Sequence, residues 1–210
     1  MAIFTLNHDT LIEQSFSKTD VVFADGFYPS FGTEVRFWNP TLLDVDVDKV
    51  RVFKLHGSVD WFWASRDEGQ QCIERLVAVR DGVDLYGIQD EYGHPLTVRE
   101  KRPVLLIATI NKMLQYVSRV YVEFFCRFHS GINESSALIV SGYSFGDKGI
   151  NWRIRDWLQQ NVQRKIIVID PRVNELGKLP GWRDWKSQGK LIEFPNGMES
   201  ISWKNVKTLL

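Results

Sequence analysis

Residues 137–158 (ALIVSGYSFGDKGINWRIRDWL) constrain the fold of this chain more than any other stretch. The first four residues are apolar and β-prone, and a run of that length is typical of a buried strand. A turn of small and polar residues follows, after which apolar residues recur at helical spacing up to Leu158, which predicts an amphipathic helix. A strand, a small-residue turn and a helix make half of a parallel α/β unit, whose ligands lie beyond the carboxyl ends of the strands. Two interpretations of the turn stay open, a nucleotide-binding turn and a turn that binds nothing.

Charge and cysteine content exclude several classes of function. Twenty-six basic and 26 acidic residues cancel, so no net field attracts nucleic acid or an anionic membrane. Neither of the two cysteines belongs to a CxxC pair, which excludes a structural zinc site of the usual spacing. Cys126 lies on an apolar helical stripe, and we expect it to be buried. The sequence shows no signal peptide and no apolar run near the ~18 residues of a membrane span, so we expect a cytoplasmic protein without a membrane partner.

Further apolar runs predict a single domain over residues 1–210 with a Rossmann-like, mainly parallel sheet and flanking helices. The strands are predicted at residues 3–6, 51–55, 104–108, 137–141 and 166–170. A long amphipathic helix is predicted from Met113 to Phe128. Glycines interrupt the periodicity between residues 66 and 100, where we predict a small inserted subdomain or lid with a hairpin around Asp81-Gly82.

Four predicted strand ends carry polar or small residues: Asn7 and Asp9, His56, Gly142 and Ser144, and Asp170. The carboxyl ends of parallel strands converge, so we expect these residues around one crevice. Asparagine and aspartate can hold an amide and a ribose, histidine can act as a base near neutral pH, and a glycine-serine turn can accept a diphosphate. Other interpretations stay open for single residues. A lone histidine is more often a surface or core residue, and Asp170 precedes a proline, which favours a turn.

These motifs, taken together, resemble the sirtuin (SIR2) family. Residues 5–13 (TLNHDTLIE) resemble its T-x-N-x-D-x-L-x-E motif, and residues 55–58 (LHGS) resemble its catalytic L-H-G-S. Residues 141–151 (SGYSFGDKGIN) are similar to the G-Y-S-F/L-x-D-x-x-I-N segment of the SIR2-like branch found in prokaryotic anti-phage defence proteins. Residues 168–171 (VIDP) stand where the family has its adenosine-side strand. The order and spacing of the motifs agree over about residues 2–175.

The resemblance implies that NAD⁺ is the substrate and that its bond to nicotinamide is cleaved without a metal. It makes His56 the catalytic histidine, while Asn7 supports the nicotinamide ribose or the attacking water. Asp9 is expected to hold the nicotinamide amide. The residues expected to bind the phosphate, ribose and adenosine parts of NAD⁺ are Gly142, Ser144, Asn151 and Asp170.

Two sequence features of the family are absent from residues 1–210. One is the G-A-G-x-S loop that wraps the NAD⁺ diphosphate. We therefore expect an N-terminally truncated form, with weak NAD⁺ binding unless an upstream segment or a partner chain supplies that loop. A homo-oligomer is the other assembly that we expect. The other is the pair of zinc-binding CxxC motifs usual in the family's deacylases. Their absence favours an NAD⁺ hydrolase over an NAD-dependent protein deacylase, and a non-catalytic SIR2-like module for nucleotide sensing or assembly is the third hypothesis.

Overall fold

The structure, a computed structural model, describes residues 1–28, 34–45, 48–66, 74–98, 100–106, 119–176 and 179–208. The strands of these residues are β1 (Ala2–Thr5), β2 (Phe23–Ala24), β3 (Val35–Phe37), β4 (Val50–Lys54), β5 (Trp61–Ser65), β6 (Glu74–Val79), β7 (Thr97–Val98), β8 (Ala137–Ser141), β9 (Lys165–Ile169) and β10 (Leu191–Phe194). The helices are α1 (Leu11–Lys18), α2 (Leu42–Val45), α3 (Arg119–Asn133), α4 (Lys148–Gln160), α5 (Trp182–Ser187) and α6 (Trp203–Lys207), with a 3₁₀ turn at Met198–Ser200. None of the described helices is long and apolar enough to cross a membrane.

The chain divides into two compact units, Met1–Phe125 (unit 1) and Cys126–Leu210 (unit 2). In unit 1, β4 is the centre of a parallel sheet of order β1-β4-β2. The register pairs Phe4 with Phe53 and Thr5 with Lys54. The two phenylalanine rings stack with their centroids 4.8 Å apart. Because β1 and β4 are parallel and in register, the chain leaves both strands at the same edge of the sheet.

Unit 1 also contains an antiparallel sheet of order β3-β6-β5-β7. Its core contains buried residues from β3, β5, β6 and the segment before β7: Val35, Phe37, Phe62, Ala64, Val77, Val79, Ile88 and Leu96. The hairpin predicted around Asp81-Gly82 is wrong, since β6 pairs with β3 and β5. Val83 and Leu85 instead pack their side chains against the core of this sheet. The predicted insertion at residues 66–100 thus contributes β6 and β7 to a sheet shared with β3 and β5, and its role as a lid stays a prediction.

Unit 2 contains a parallel sheet of order β10-β9-β8 with α4 between β8 and β9 in the chain. Helix α4 begins where the Asp147 carboxylate accepts hydrogen bonds from the Gly149 and Ile150 N–H groups at 2.9 and 3.1 Å. Such an N-cap is typically worth about 1 kcal/mol. The apolar stripe of the helix is buried at Ile150, Ile154, Trp157 and Leu158, as the spacing predicts.

The predicted α/β fold with parallel strands and flanking helices is confirmed, and the described parallel strands are distributed between the two units. The strand predicted at residues 104–108 is seen only as a bridge between Leu105 and Gly57, and residues 107 and 108 lie outside the described part. Helix α3 confirms the predicted helix from Arg119 onward.

The prediction that Cys126 is buried is wrong, because this residue is exposed. Phe124 and Phe128 turn to the core one helical turn apart, and the residue midway between them faces the opposite side. Cys72 lies outside the described residues.

Candidate functional site

The loops after β1 and β4 carry the first group of predicted site residues. After β1, the Asn7 N–H donates to the Thr5 hydroxyl at 3.1 Å, which bends the chain out of the strand. Asn7 and Asp9 are both exposed. One carboxylate oxygen of Asp9 accepts a hydrogen bond from the Leu11 N–H at 3.1 Å and so shapes the start of α1. The backbone of the two loops is joined where the Val59 N–H donates to the His8 carbonyl at 2.9 Å.

His56 is buried, with 6% of its surface exposed, two residues beyond the end of β4. Its carbonyl accepts from the Leu106 N–H at 2.8 Å, and the next two N–H groups donate to Lys54 and Val104 carbonyls at 3.1 and 3.2 Å. The Gly57 that follows has φ +80, and a Cβ there would lie 1.9 Å from the Val104 carbonyl oxygen. A side chain at this position would therefore be strained and would clash with the main chain. Glycine fits this turn, and the backbone bonds hold the histidine in a defined place.

His8 lies beside His56, with ring centroids 6.1 Å apart. The structure thus brings together the loops of Asn7, Asp9 and His56 within unit 1. The predicted crevice shared with Gly142, Ser144 and Asp170 stays a prediction. His8 was not predicted to have a role. Its carbonyl nevertheless accepts bonds from the Val59 N–H and, at 3.3 Å, from the Ser58 hydroxyl.

A buried lysine that was not predicted as a site residue lies at the end of β4. Lys54 is 2% exposed, and its ammonium donates to the Ser58 hydroxyl at 2.7 Å and to the Asp9 carbonyl. It also forms an ion pair with Glu13, with 3.0 Å between Nζ and Oε1. The Ser58 hydroxyl in turn bonds to the Asp60 carboxylate. The sequence signal was a cation in an otherwise apolar strand end, directly before Leu55 and His56.

The second group of predicted residues lies in unit 2, in the turn after β8. Gly142 is exposed with φ +64, and a Cβ there would meet open space. Ser144 is exposed as well. The Tyr143 hydroxyl donates to the side-chain oxygen of Asn151 at 2.8 Å, and the Asn151 amide donates to the Phe145 carbonyl at 2.6 Å. Asn151 thus uses both ends of its amide to hold this turn, and its predicted contact with a ligand stays a prediction.

Asp170 follows β9 directly and is 5% exposed. One carboxylate oxygen accepts from the Arg172 N–H at 2.7 Å, and the Asp170 N–H donates to the Phe194 carbonyl at 3.1 Å. The turn that Asp-Pro favours is therefore present. The presence of this turn does not test the predicted contact between the Asp170 carboxylate and adenosine, which remains a proposal.

A cleft of about 320 Å³ in unit 2 supplies further candidate residues. Lys148, Trp152 and Arg155 lie at positions i, i+4 and i+7 of α4 and line it from one helix face. The remaining lining residues are Phe145, Asn151, Leu179 and Pro180. Among the described residues neither Lys148 nor Arg155 forms an ion pair. An indole between two cations suits a ligand that combines a ring with an anionic group.

A sequence profile of the SIR2-like domain family matches residues 1–187. The chain belongs to the SIR2-like domain family. The matched region of this SIR2-like domain contains both groups of predicted site residues. A search of curated proteins found no match. Among solved structures, a Sir2 homologue with a serine-to-alanine substitution, in complex with ADP-ribose, is 15% identical with a TM-score of 0.42. The alignment covers 76% of this chain and 52% of that chain, so the SIR2-like chain spans about half the length of that structure.

The described residues of the SIR2-like domain include no group of three or more His, Cys, Asp or Glu side chains that could hold a metal ion. The prediction of a metal-free protein stays a prediction. Family membership confirms the sirtuin resemblance of the motifs. The roles of Asn7, Asp9 and His56 toward a ligand, and those of the unit 2 residues, enter the proposal below.

Proposed function

We propose that this SIR2-like domain hydrolyses NAD⁺ to nicotinamide and ADP-ribose, in the setting of prokaryotic anti-phage defence. The observation that supports hydrolysis most directly is the in-register pairing of β1 with β4. It brings the loop of the T-x-N-x-D motif and the loop of the L-H-G-S motif to one edge of the sheet. The buried His56 is held there by a backbone that a side chain at residue 57 would disrupt.

In the proposed reaction, the bond between the ribose and the nicotinamide nitrogen breaks and its electron pair leaves with nicotinamide. Positive charge develops on the ribose, so the bound sugar must be positioned and shielded rather than activated. Water attacks the ribose carbon, and a neutral His56 accepts the proton that the water or a ribose hydroxyl loses. Asn7 orients the ribose or the water through its amide, and Asp9 accepts a hydrogen bond from the nicotinamide amide.

The adenosine and diphosphate parts of NAD⁺ are assigned in the proposal to residues of unit 2. Gly142 and Ser144 offer an exposed turn with open space beside the glycine. Lys148 and Arg155 add two positive charges at the cleft on α4, and Asp170 accepts from a ribose hydroxyl. Residues 1–210 contain no G-A-G-x-S sequence, so the proposal includes a further segment or a partner chain that supplies this loop.

The test replaces the proposed catalytic residues one at a time. His56→Ala is expected to lower nicotinamide release by about 10²-fold or more, the usual contribution of a positioned general base. Asn7→Ala is expected to cost a comparable factor, because a misplaced ribose or water loses its orientation. Nicotinamide and ADP-ribose are followed by chromatography, and thermal unfolding confirms that each variant folds. Both residues 1–210 and a form with a loop-bearing N-terminal extension are assayed, since the first alone is expected to bind NAD⁺ weakly.

His94→Ala is the matched control, because His94 is exposed at 57% on the side of the antiparallel sheet in unit 1. It is expected to keep full activity. Full activity in the His56→Ala protein would reject the mechanism. Turnover of an acetyl-lysine peptide would instead assign the deacylase function, and NAD⁺ binding without turnover of any substrate would assign the sensing or assembly module.

A further inference from the structure

Burial of the Lys54 ammonium carries a desolvation cost, and each of its three N–H donors has an acceptor. Lys54 is 2% exposed, and an unpaired charge at such a site destabilises a protein by several kcal/mol. An ammonium has three N–H donors. Here it has three acceptors, namely the Asp9 carbonyl, the Ser58 hydroxyl and the Glu13 carboxylate. Methionine or leucine would fill the strand end without this arrangement, so the charge itself has a use.

The three acceptors belong to three different segments. Asp9 lies in the loop after β1, Ser58 lies in the loop after β4, and Glu13 lies in the first turn of α1. The Ser58 hydroxyl lies 3.3 Å from the His8 carbonyl, which extends the connection to a second residue of the first loop. A single buried cation thus fixes the Asn7-bearing loop against the His56-bearing loop.

We infer that Lys54 is a positioning residue, which holds the loop of Asn7 and the loop of His56 in the geometry needed for reaction without touching the substrate. The inference rests on the proposed function for its catalytic part, and on the hydrogen bonds alone for its positioning part. The competing explanation is an ion pair that only adds stability. The two explanations make different predictions for replacement of the lysine. A positioning residue predicts a local loss of order in the two loops, whereas an ion pair that only stabilises predicts a lower overall stability.

Lys190 provides a matched control for this difference. It is also buried, at 8% exposure, and its ammonium donates to the Leu158 carbonyl in unit 2. Lys54→Met and Lys190→Met each remove one buried ammonium and keep a side chain of similar length. Both are expected to lower the thermal unfolding temperature. Only Lys54→Met is expected to change the loops of unit 1.

Amide hydrogen exchange measures the protection of the backbone amides in these loops, and it does not require an active enzyme. Lys54→Met is expected to speed the exchange of the Leu11 and Val59 amides by about tenfold or more, because their acceptors lie in the loop that the lysine holds. The amides inside β1 and β4 are expected to stay protected, and Lys190→Met is expected to leave all of these amides unchanged. Equal exchange in wild type and Lys54→Met would overturn the inference.

Steady-state kinetics then test the catalytic part. Lys54→Met is expected to lower kcat by about tenfold or more with KM within about threefold, since misplacing a catalytic group affects the transition state more than binding. Lys190→Met is expected to keep both constants. These kinetics use the form with the loop-bearing N-terminal extension. Lack of NAD⁺ turnover by the wild type in that form would remove the proposed function, and the exchange result would still decide the positioning role. Unchanged kcat in Lys54→Met would reject the catalytic part.

If Lys54→Met does not fold, Ser58→Ala removes one acceptor and leaves the ion pair with Glu13 in place. Ser58→Ala is expected to speed amide exchange in the loops and to lower kcat, in both cases by less than Lys54→Met. Ser65→Ala is its control, because Ser65 is buried at 1% exposure on β5 and its hydroxyl has no hydrogen-bond partner among the described residues. Identical behaviour of the two serine variants would overturn the inference.

Discussion

Burial raises the pKa values of two tyrosines of this SIR2-like domain. Burial raises the pKa of Tyr121 on α3 to about 12. Burial also raises the pKa of Tyr143 far above its usual range. A hydrogen bond with the Asp147 backbone lowers this pKa somewhat, and the charge of the Asp147 carboxylate raises it by a smaller amount. A neutral Tyr143 can donate its hydrogen to Asn151, and that bond fixes the turn after β8. The protonation state of one side chain therefore matters for a predicted substrate-binding turn.

This leads to a prediction for stability at high pH. Unfolded tyrosines lose their proton near pH 10, while the folded phenols keep it. Between pH 10 and about 12 the unfolded state therefore binds fewer protons than the folded state, and the free energy of unfolding falls as pH rises. The stability these tyrosines provide is fully present below pH 10. Urea unfolding midpoints measured from pH 8 to 11.5 are expected to decline, and to decline less in Tyr121→Phe and Tyr143→Phe.

The control for this series is Tyr92→Phe, because the Tyr92 side chain is exposed at 75%. It is expected to follow the wild-type pH profile. A wild-type profile that is flat above pH 10, or one that Tyr92→Phe flattens as much as Tyr143→Phe, would contradict the prediction.

At the scale of single residues, the sequence predicted positions better than surroundings. The place of His56 at a strand end follows from an alternating strand that runs into a glycine, and both signals are local. The burial of Lys54 depends on Glu13 of α1 and on Asp9 in the loop after β1, and both lie more than 40 residues earlier in the chain. No local sequence pattern indicates that these distant segments bury the lysine. The same reason explains Cys126, whose exposed side could not be distinguished within a helix rich in apolar residues.

Helix α4 is the element whose sequence and structure agree most closely. Its apolar stripe and its start were predictable, because the Asp147 cap and the spacing of Ile150, Ile154 and Trp157 are both local signals. Its opposite face could not be assigned in the same way. Cations on a polar helix face usually point to solvent, and only the structure shows that Lys148 and Arg155 line a cleft with Leu179 and Pro180.

The charge of this cleft gives a prediction for α4. Under the proposed function, the double variant Lys148→Glu and Arg155→Glu is expected to raise KM for NAD⁺ about tenfold or more with kcat little changed. Two attractive charges near the diphosphate become repulsive, while the reacting bond is unaffected. Added salt is expected to reduce the difference in KM between this double variant and the wild type, because the charges are accessible to solvent.

The control for the cleft is the double variant Lys204→Glu and Lys207→Glu on α6. It makes the same change in net charge in unit 2 with two exposed lysines outside the cleft. It is expected to leave KM close to the wild-type value. An equal rise in KM for both double variants would show a general charge effect and reject a specific role for the cleft.

Strand pairing was predictable for the parallel strands and not for the antiparallel ones. Buried parallel strands read as continuous apolar runs. β8 and β9 do so in the sequence, whereas β4 alternates and is recognisable by that pattern. The partners of β6 are β5 and β3, and the residues that pair between β3 and β6 are 40 to 44 positions apart in the chain. The apolar end of β6 is compatible with several partner strands, so the local sequence does not identify its true partners and the hairpin predicted with the nearer segment around Leu85 is wrong.

For the whole molecule, the order of motifs along the chain predicted the family, and the profile match over residues 1–187 confirms it. Motif order survives because each motif occupies the end of one strand, and the order of strands is part of the fold. The division into two compact units was not predicted. Its boundary falls inside α3, between Phe125 and Cys126, where a continuous helical pattern gives no sign of a break.

The last prediction concerns metal in the whole protein. The chain has two cysteines and four histidines, and the described part offers no group of ligands for an ion. The region of β6 and β7 is held instead by packing, since Val77, Val79, Ile88 and Leu96 are buried in the core of the antiparallel sheet. Each such side chain is worth about 1.5–3 kcal/mol when fully buried. A structural zinc site would add stability that a chelator removes.

Purified protein is therefore expected to contain far less than one zinc per chain by elemental analysis. Dialysis against EDTA is expected to leave the thermal unfolding temperature unchanged to within about 1 °C, because packing among apolar side chains does not depend on an ion. A small metal-dependent protein such as a zinc finger, treated in parallel, confirms that the dialysis removes bound zinc. Stoichiometric zinc together with a lower unfolding temperature after dialysis would contradict the prediction and would point to ligands that include residues outside the described part, such as Cys72.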